Sequence, residues 1–216
     1  MKRLAPRSGF TLIEMITVVA IIILLAGLVI STAGWANRKA AMERALNEIK
    51  GIGAAIENYK IDNGTVPQNN DTDLLDPRIH FSAIGGTSGT YYNKASRYLY
   101  QALTGDLDPP NDPDGKPETG NKSYYTFDRS LLNVSRNGTG EITKVHYIQD
   151  PFGNSYGYST AGLNLETEYR KELRSNPSAP RPADKKGFNT ATYDMWSTTG
   201  ATTQDGQAKW VKNWGA

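Results

Sequence analysis

The chain has 216 residues, 24 basic against 22 acidic side chains and no cysteine, which is enough for one domain or one domain with an appendage. The balanced charge, with no basic stripe anywhere along the chain, argues against nucleic acid as a partner. The missing cysteines exclude disulfides, thiolate zinc sites and thiol nucleophiles together. Apolar residues are unevenly spread: 17 of the 21 residues from Phe10 to Ile30 are apolar, the exceptions being Thr11, Glu14, Thr17 and Gly27. The remainder is polar and rich in glycine and proline, so an ordinary cytosolic enzyme is a poor fit.

A hydrocarbon core of about 30 Å needs roughly 20 helical residues, and Phe10 to Ile30 supplies that length. Lys2, Arg3 and Arg7 precede it and, by the positive-inside rule, keep the amino terminus cytoplasmic and send the body outward. A cleaved secretory signal, cut after Ser31-Thr32-Ala33, would share these features. Two observations oppose it. Glu14 puts a carboxylate in the apolar run, where an unpaired charge costs roughly 2.5 to 3.5 kcal/mol and a signal peptide gains nothing from it. The helical pattern also continues beyond Ala33. Met42, Ala45, Leu46, Ile49, Ile52, Ile56 and Tyr59 recur at three- and four-residue steps, one apolar stripe on a helix. With no proline between Phe10 and Ile61, a single long helix is expected there, half in lipid and half packed on the body.

Gly9-Phe10-Thr11-Leu12-Ile13-Glu14, behind a short basic leader and ahead of an apolar run, resembles the class III signal of type IV pilins and of the pseudopilins of type II secretion. The resemblance implies that a prepilin peptidase cuts between Gly9 and Phe10, removes residues 1–9 and methylates the new amino terminus at Phe10. It further implies that Glu14 pairs in the polymer with the amino terminus of a neighbouring subunit. The residues suit that chemistry. A glycine before the cut leaves the backbone open to a protease, and a buried charge is tolerated when it is paired. Such a pair would set register, while lateral packing of apolar helices would hold the filament. A carboxylate that snorkels to the headgroups is the plainer reading of Glu14.

Tyr59 to Pro67 reads as a helix end, with Gly64 able to take the left-handed conformation and Pro67 barring resumption. From Gln68 to Gly140 the expectation is mostly loop with one helix, Ser96 to Leu103. Within Glu141 to Thr160, Ile142–Ile148 and Tyr156–Tyr158 are expected to pair as a hairpin around Asp150-Pro151-Phe152-Gly153-Asn154. That turn resembles the Asp-Pro-Trp-Gly-Asn-Pro-Tyr run of major pseudopilins, though any tight turn wants those residue types. Asn164 to Gly187 reads as a short polar helix and an exposed loop, Ala191 to Ser197 as a strand, and Trp210 to Trp214 as the close. The ending also resembles the major pseudopilin finish.

In major pseudopilins the carboxy-terminal loop binds calcium, and the resemblance places Asp205, carbonyls from Ser197 onward and Asp194 as the corresponding oxygens. The acidic residue usual after Gly200 is absent, since Ala201 and Thr202 stand there. One carboxylate fewer weakens the attraction for an ion that wants six to eight oxygens. Asp106, Asp108, Asp112, Asp114 and Gly115 form the densest acidic cluster, but the EF-hand template fails because Pro110 and Asn121 fall on its first and last ligand positions. A solvated turn-rich loop is the reading for it. His80 and His146 lack metal spacing or a nucleophile partner. The twelve tyrosines and four tryptophans are explained by packing a thin sheet on a long helix more simply than by a carbohydrate platform.

The expected fold is therefore α+β and type IV pilin-like, a long amino-terminal helix packed on a small antiparallel sheet. Its parts are a cleaved leader (1–9), a transmembrane half-helix (10–30), an amphipathic half-helix (31–61), a variable connecting region (62–140) and the sheet with its carboxy-terminal loop (141–216). The resemblance implies a non-enzymatic filament subunit, single-pass in the bacterial inner membrane with its body in the periplasm. Its partners would be copies of itself, other pseudopilins, prepilin peptidase and the secretion platform. A type IV pilin proper, disfavoured by the missing cysteines, and a minor pseudopilin are the near alternatives. A membrane-anchored extracytoplasmic binding module or hydrolase is the distant one, and no convergent set of polar groups supports it.

Overall fold

The structure is a computed structural model that describes residues 10–107 and 113–215, with backbone alone for residues 28–33. The leader, including Gly9, lies outside the described residues, as do Asp108 and Asp112. Contacts divide the chain into two compact units, one ending at Ala41 and one beginning at Met42. Helix α1, Leu12–Asn63, supplies the described helix of the first unit and the opening helix of the second. Its 52 residues match the expected length, and it stops where the sequence says: Gly64 has φ +76° and its amide donates to Lys60 O at 2.8 Å.

Within the second unit the apolar stripe of α1 is the spine of the core. Ala45, Ile49, Ile52 and Ile56 are 0 to 4% exposed, and Met42, Leu46 and Tyr59 pack at the margin. They meet Leu99 and Leu103 of α3 (Gly86–Thr104), Val145 and Ile148 of β2 (Ile142–Ile148), and Tyr156, Tyr158 and Met195. Burying these side chains contributes about 1.5 to 3 kcal/mol each for the larger ones, which holds this stretch of α1 in place.

The connecting region is more ordered than its composition suggests. It holds α2 (Asn70–Leu74), which begins with a capping box between Asn69 and Thr72. It also holds the whole of α3, which starts ten residues before the expected Ser96, and strand β1 (Leu132–Arg136). A side chain at Gly89 would lie 3.1 Å from the Ile84 carbonyl carbon, so a glycine suits the close packing of the first turn of α3.

The expected hairpin is not formed as such. β2 pairs antiparallel with β1, while β3 (Gly157–Ser159) joins a second sheet in the order β3-β4-β5 with β4 (Asp194–Ser197) and β5 (Val211–Lys212). Of the predicted pairing, the Gln149–Ser155 bridge, the Asp150 amide on Asn154 O at 2.8 Å and the Tyr156 amide on Ile148 O at 3.0 Å are present. β3 instead satisfies its backbone on β4, and β4 is shorter than the expected strand from Ala191. Helix α4 (Ala161–Ser175) is the polar helix, beginning earlier than expected. The fold is α+β, with one long helix and two small antiparallel sheets, in line with the pilin-like expectation.

A second apolar cluster gathers Leu75, Tyr92, Ala95, Trp196 and Trp210. Trp196 donates its indole N–H to the Tyr92 hydroxyl at 2.8 Å and stacks on Trp210 with ring centroids 5.7 Å apart. Gly157 is what lets Trp196 lie there, because a Cβ at that position would fall 2.2 Å from the indole ring.

Candidate assembly site

The first turn of α1 is built by a local sequence pattern. Thr11 stands before the helix and Glu14 three residues on, the spacing of a capping box. The Thr11 backbone amide and hydroxyl both donate to Glu14 Oε2 at 2.8 Å, and the Glu14 amide lies 3.4 Å from Thr11 Oγ1. Glu14 thus bends back onto the helix start, where the free amides favour negative charge. Phe10 immediately precedes this cap and is 80% exposed.

Beyond the cap the helix has no hidden face. Each large apolar side chain from Leu12 to Leu25 is 49 to 77% exposed, at successive positions that take in every direction around the axis. A helix apolar on all sides is one that something else must cover, whether lipid or other helices. Among the described residues no helix is long and apolar enough to cross a membrane.

The carboxy-terminal candidates lie apart in role. Asp194, on β4, is 1% exposed, and its two oxygens accept the amides of Phe188 at 2.7 Å and Asn189 at 2.9 Å. Burial pushes its carboxyl up to about 6, against those amides and helped by the charge of Asp76. Ser197 donates its hydroxyl to Asp150 Oδ2 at 2.5 Å and accepts the Thr199 amide at 3.1 Å. Asp205 is exposed at the start of a 3-10 turn, Asp205–Lys209. Asp194 and Ser197 spend their side-chain oxygens on these bonds, which leaves Asp205 as the exposed carboxylate of the three. Among the described residues no three acidic or histidine side chains are grouped for a metal. His80 accepts the Asp76 amide at 3.0 Å and His146 bonds Ser135 at 2.8 Å, both structural uses.

Sequence reasoning missed two polar pins, one half-buried and one buried. Glu48 pairs with Arg44 at 2.7 Å and accepts the Tyr156 hydroxyl at 2.6 Å, tying α1 to the turn ahead of β3. Asp150 closes the turn that followed β2, accepting the amides of Phe152 at 3.0 Å and Asn154 at 2.8 Å besides the Ser197 hydroxyl. The Arg44–Glu48 spacing was a visible signal for the first; the partner 47 residues from Asp150 left none.

Three curated relatives resemble the chain, each a type II secretion system core protein G. That of Vibrio cholerae serotype O1 is 34% identical over 67 residues, 31% of this chain and 46% of the relative. That of Pseudomonas aeruginosa is 43% identical over 61 residues, 28% of this chain and 43% of the relative. That of Aeromonas hydrophila is 36% identical over 61 residues, again 28% and 43%. The chain therefore spans a little under half the length of the curated relatives it matches. No protein-family model and no solved structure matches it. These relatives bear out the resemblance to type II secretion pseudopilins that Gly9 to Glu14 carries.

Proposed function

We propose that the chain is a pseudopilin, a structural subunit of a type II secretion filament rather than an enzyme. The observation that carries this reading is the first unit's helix, apolar on all sides and opened by a carboxylate held at its amino-terminal cap. An apolar cylinder is stable in lipid before assembly and among copies of itself afterwards. Prepilin peptidase cuts between Gly9 and Phe10 and methylates Phe10, and the chain sits single-pass in the inner membrane with its body in the periplasm. Glu14 then receives the new amino terminus of a neighbour. Its present partner, the Thr11 amide, is a neutral donor, and exchanging it for an ammonium makes a stronger, charge-assisted contact. Adding subunits at the membrane lengthens the filament and moves cargo outward; other pseudopilins and the inner-membrane platform are the remaining partners.

Mass spectrometry of the membrane-extracted protein tests this directly. The expected species lacks residues 1–9 and carries one added methyl group; a species beginning after Ala33 would overturn the reading in favour of a secreted body.

A further inference from the structure

The loop that follows α4 is pinned from below by two buried carboxylates. One oxygen, Asp76 Oδ1, accepts the amides of Arg78 at 2.9 Å and of Gly187 at 3.0 Å, the latter 111 residues away in the chain. Asp194 holds the next two amides, those of Phe188 and Asn189. The same loop lies against the first turn of α4, where a Cβ at Gly162 would fall 2.6 Å from Asn189 O and 2.9 Å from Lys186 O. These contacts fix one side of an open groove of about 350 Å³, whose apolar lining is Leu165, Tyr169, Pro182 and Phe188. Phe188 stacks on Trp214 with ring centroids 4.8 Å apart, and the Arg78 guanidinium sits over Phe188, 5.7 Å from its centroid. A guanidinium over a ring face keeps its in-plane N–H groups for another partner. Among the described residues no carboxylate pairs with Arg78, Lys185 or Lys186, which all line the groove, and no acceptor takes an Arg78 side-chain N–H. The acids of the groove do not cancel them: Glu166 is spent on Arg170 and Arg181, and Asp184 is exposed.

We propose that this groove binds an acidic peptide segment of another polypeptide, one with an aromatic or aliphatic residue beside its carboxylates. The carboxylates meet Arg78, Lys185 and Lys186, with Arg78 able to grip one of them through two parallel N–H groups, and the apolar side chain lies on Leu165 and Phe188. The volume stands near the bottom of the range of about 300 to 1,000 Å³ for ligand sites, and the groove is open, which suits a stretch of chain rather than a whole cofactor. The site is separate from the helix start used in filament assembly, so the two readings stand or fall apart.

The test is calorimetric titration of the full chain, in nonionic detergent, with the peptide acetyl-Glu-Asp-Phe-Asp-Glu-amide. Saturable binding is expected, weakening as salt is added. Exchanging the peptide's acids for glutamine and asparagine, or its phenylalanine for serine, should weaken it in either case. Arg78→Ala, and Lys185→Ala combined with Lys186→Ala, should each lower affinity by about tenfold or more, since a charge-assisted contact is lost. Arg78→Lys should not restore it, because an ammonium lacks the planar fork. Arg174→Ala removes an exposed cation of α4 outside the groove and should bind as the parent does. Melting curves check that each variant is folded, and where Arg78→Ala is not, the paired lysine variant decides. Absence of saturable binding, equal binding of the amide or serine peptide, parental affinity in the folded groove variants, or displacement of the peptide by an equal concentration of acetate would each overturn the proposal. Processing at Gly9 and filament assembly are scored separately.

Discussion

The two stretches of α1 are made of the same kinds of residue and meet opposite fates. From Leu12 to Leu25 every large apolar side chain is about half or more exposed, whereas Ala45, Ile49, Ile52 and Ile56 are almost wholly buried. The difference lies in arrangement rather than in composition. In the later stretch, apolar residues at three- and four-residue steps leave a polar face of Arg44, Asn47, Lys50 and Glu57, so one side can be buried by the rest of the chain and the other hydrated. In the earlier stretch no polar face exists, and no single sheet can cover a cylinder. One region completes itself within the molecule; the other is left to be completed by lipid or by copies.

That contrast is most sharply broken at Glu14. Glu14→Ala is expected to abolish filament assembly, measured by cross-linking of neighbouring subunits, while the second unit melts as in the parent; assembly at parental levels would sink the proposed role of the carboxylate. Ile52→Ala does the reverse. It opens a cavity in the fully buried core and should cost about 3 to 4 kcal/mol in denaturant unfolding, with the stretch from Leu12 to Leu25 untouched. Gly157→Ala drives a methyl into the Trp196 indole and should cost about 2 to 3 kcal/mol, with the near-ultraviolet dichroism of the tryptophan stack altered.

A pH titration sharpens the comparison from another side. Burial lifts the Asp194 carboxyl from 3.8 to about 6, so the folded chain holds that proton more tightly than the unfolded chain does. Stability therefore falls as pH rises from the ordinary carboxylate range through about 6 and is flat above it. Lowering pH from 7.5 to 5 in calcium-free buffer should stabilise the second unit by about 2 kcal/mol at most. Asp106 and Asp150, also raised by burial, act in the same direction. A melting temperature that fell over this interval would show that other groups dominate. The smallest effect belongs to Ser197→Ala, which removes one hydroxyl donor from Asp150 and should cost about 1 to 2 kcal/mol in thermal unfolding.

The legible parts were those written in local periodicity and local chemistry. The helix appeared from its apolar spacing, its end from Gly64 and Pro67, and the assembly candidates from Gly9, Phe10 and Glu14, because each depends on neighbours within about one helical turn. The Asp150 turn was recognisable for the same reason. What lay beyond local reach went differently. The first turns of α3 fell within the expected loop because nothing local reveals that Gly89 packs against the Ile84 backbone. Ile142–Ile148 and Tyr156–Tyr158 looked like partners because they flank a turn, yet the backbone of β3 found β4 more than thirty residues away, and β2 found β1.

The carboxylates divide along the same line. Glu14 announces itself, since a charge in an apolar run needs a reason whatever the fold. Asp106, Asp150 and Asp194 look like surface acids in the sequence; only long-range packing removes water from them and decides which amides and hydroxyls they meet. Sequence alone determined which helix must seek partners outside the chain, because that follows from residue order along one turn after another. Tertiary structure alone decided strand pairing and the burial of charge, because hydrogen bonds between strands and exclusion of solvent are settled by residues far apart in the chain.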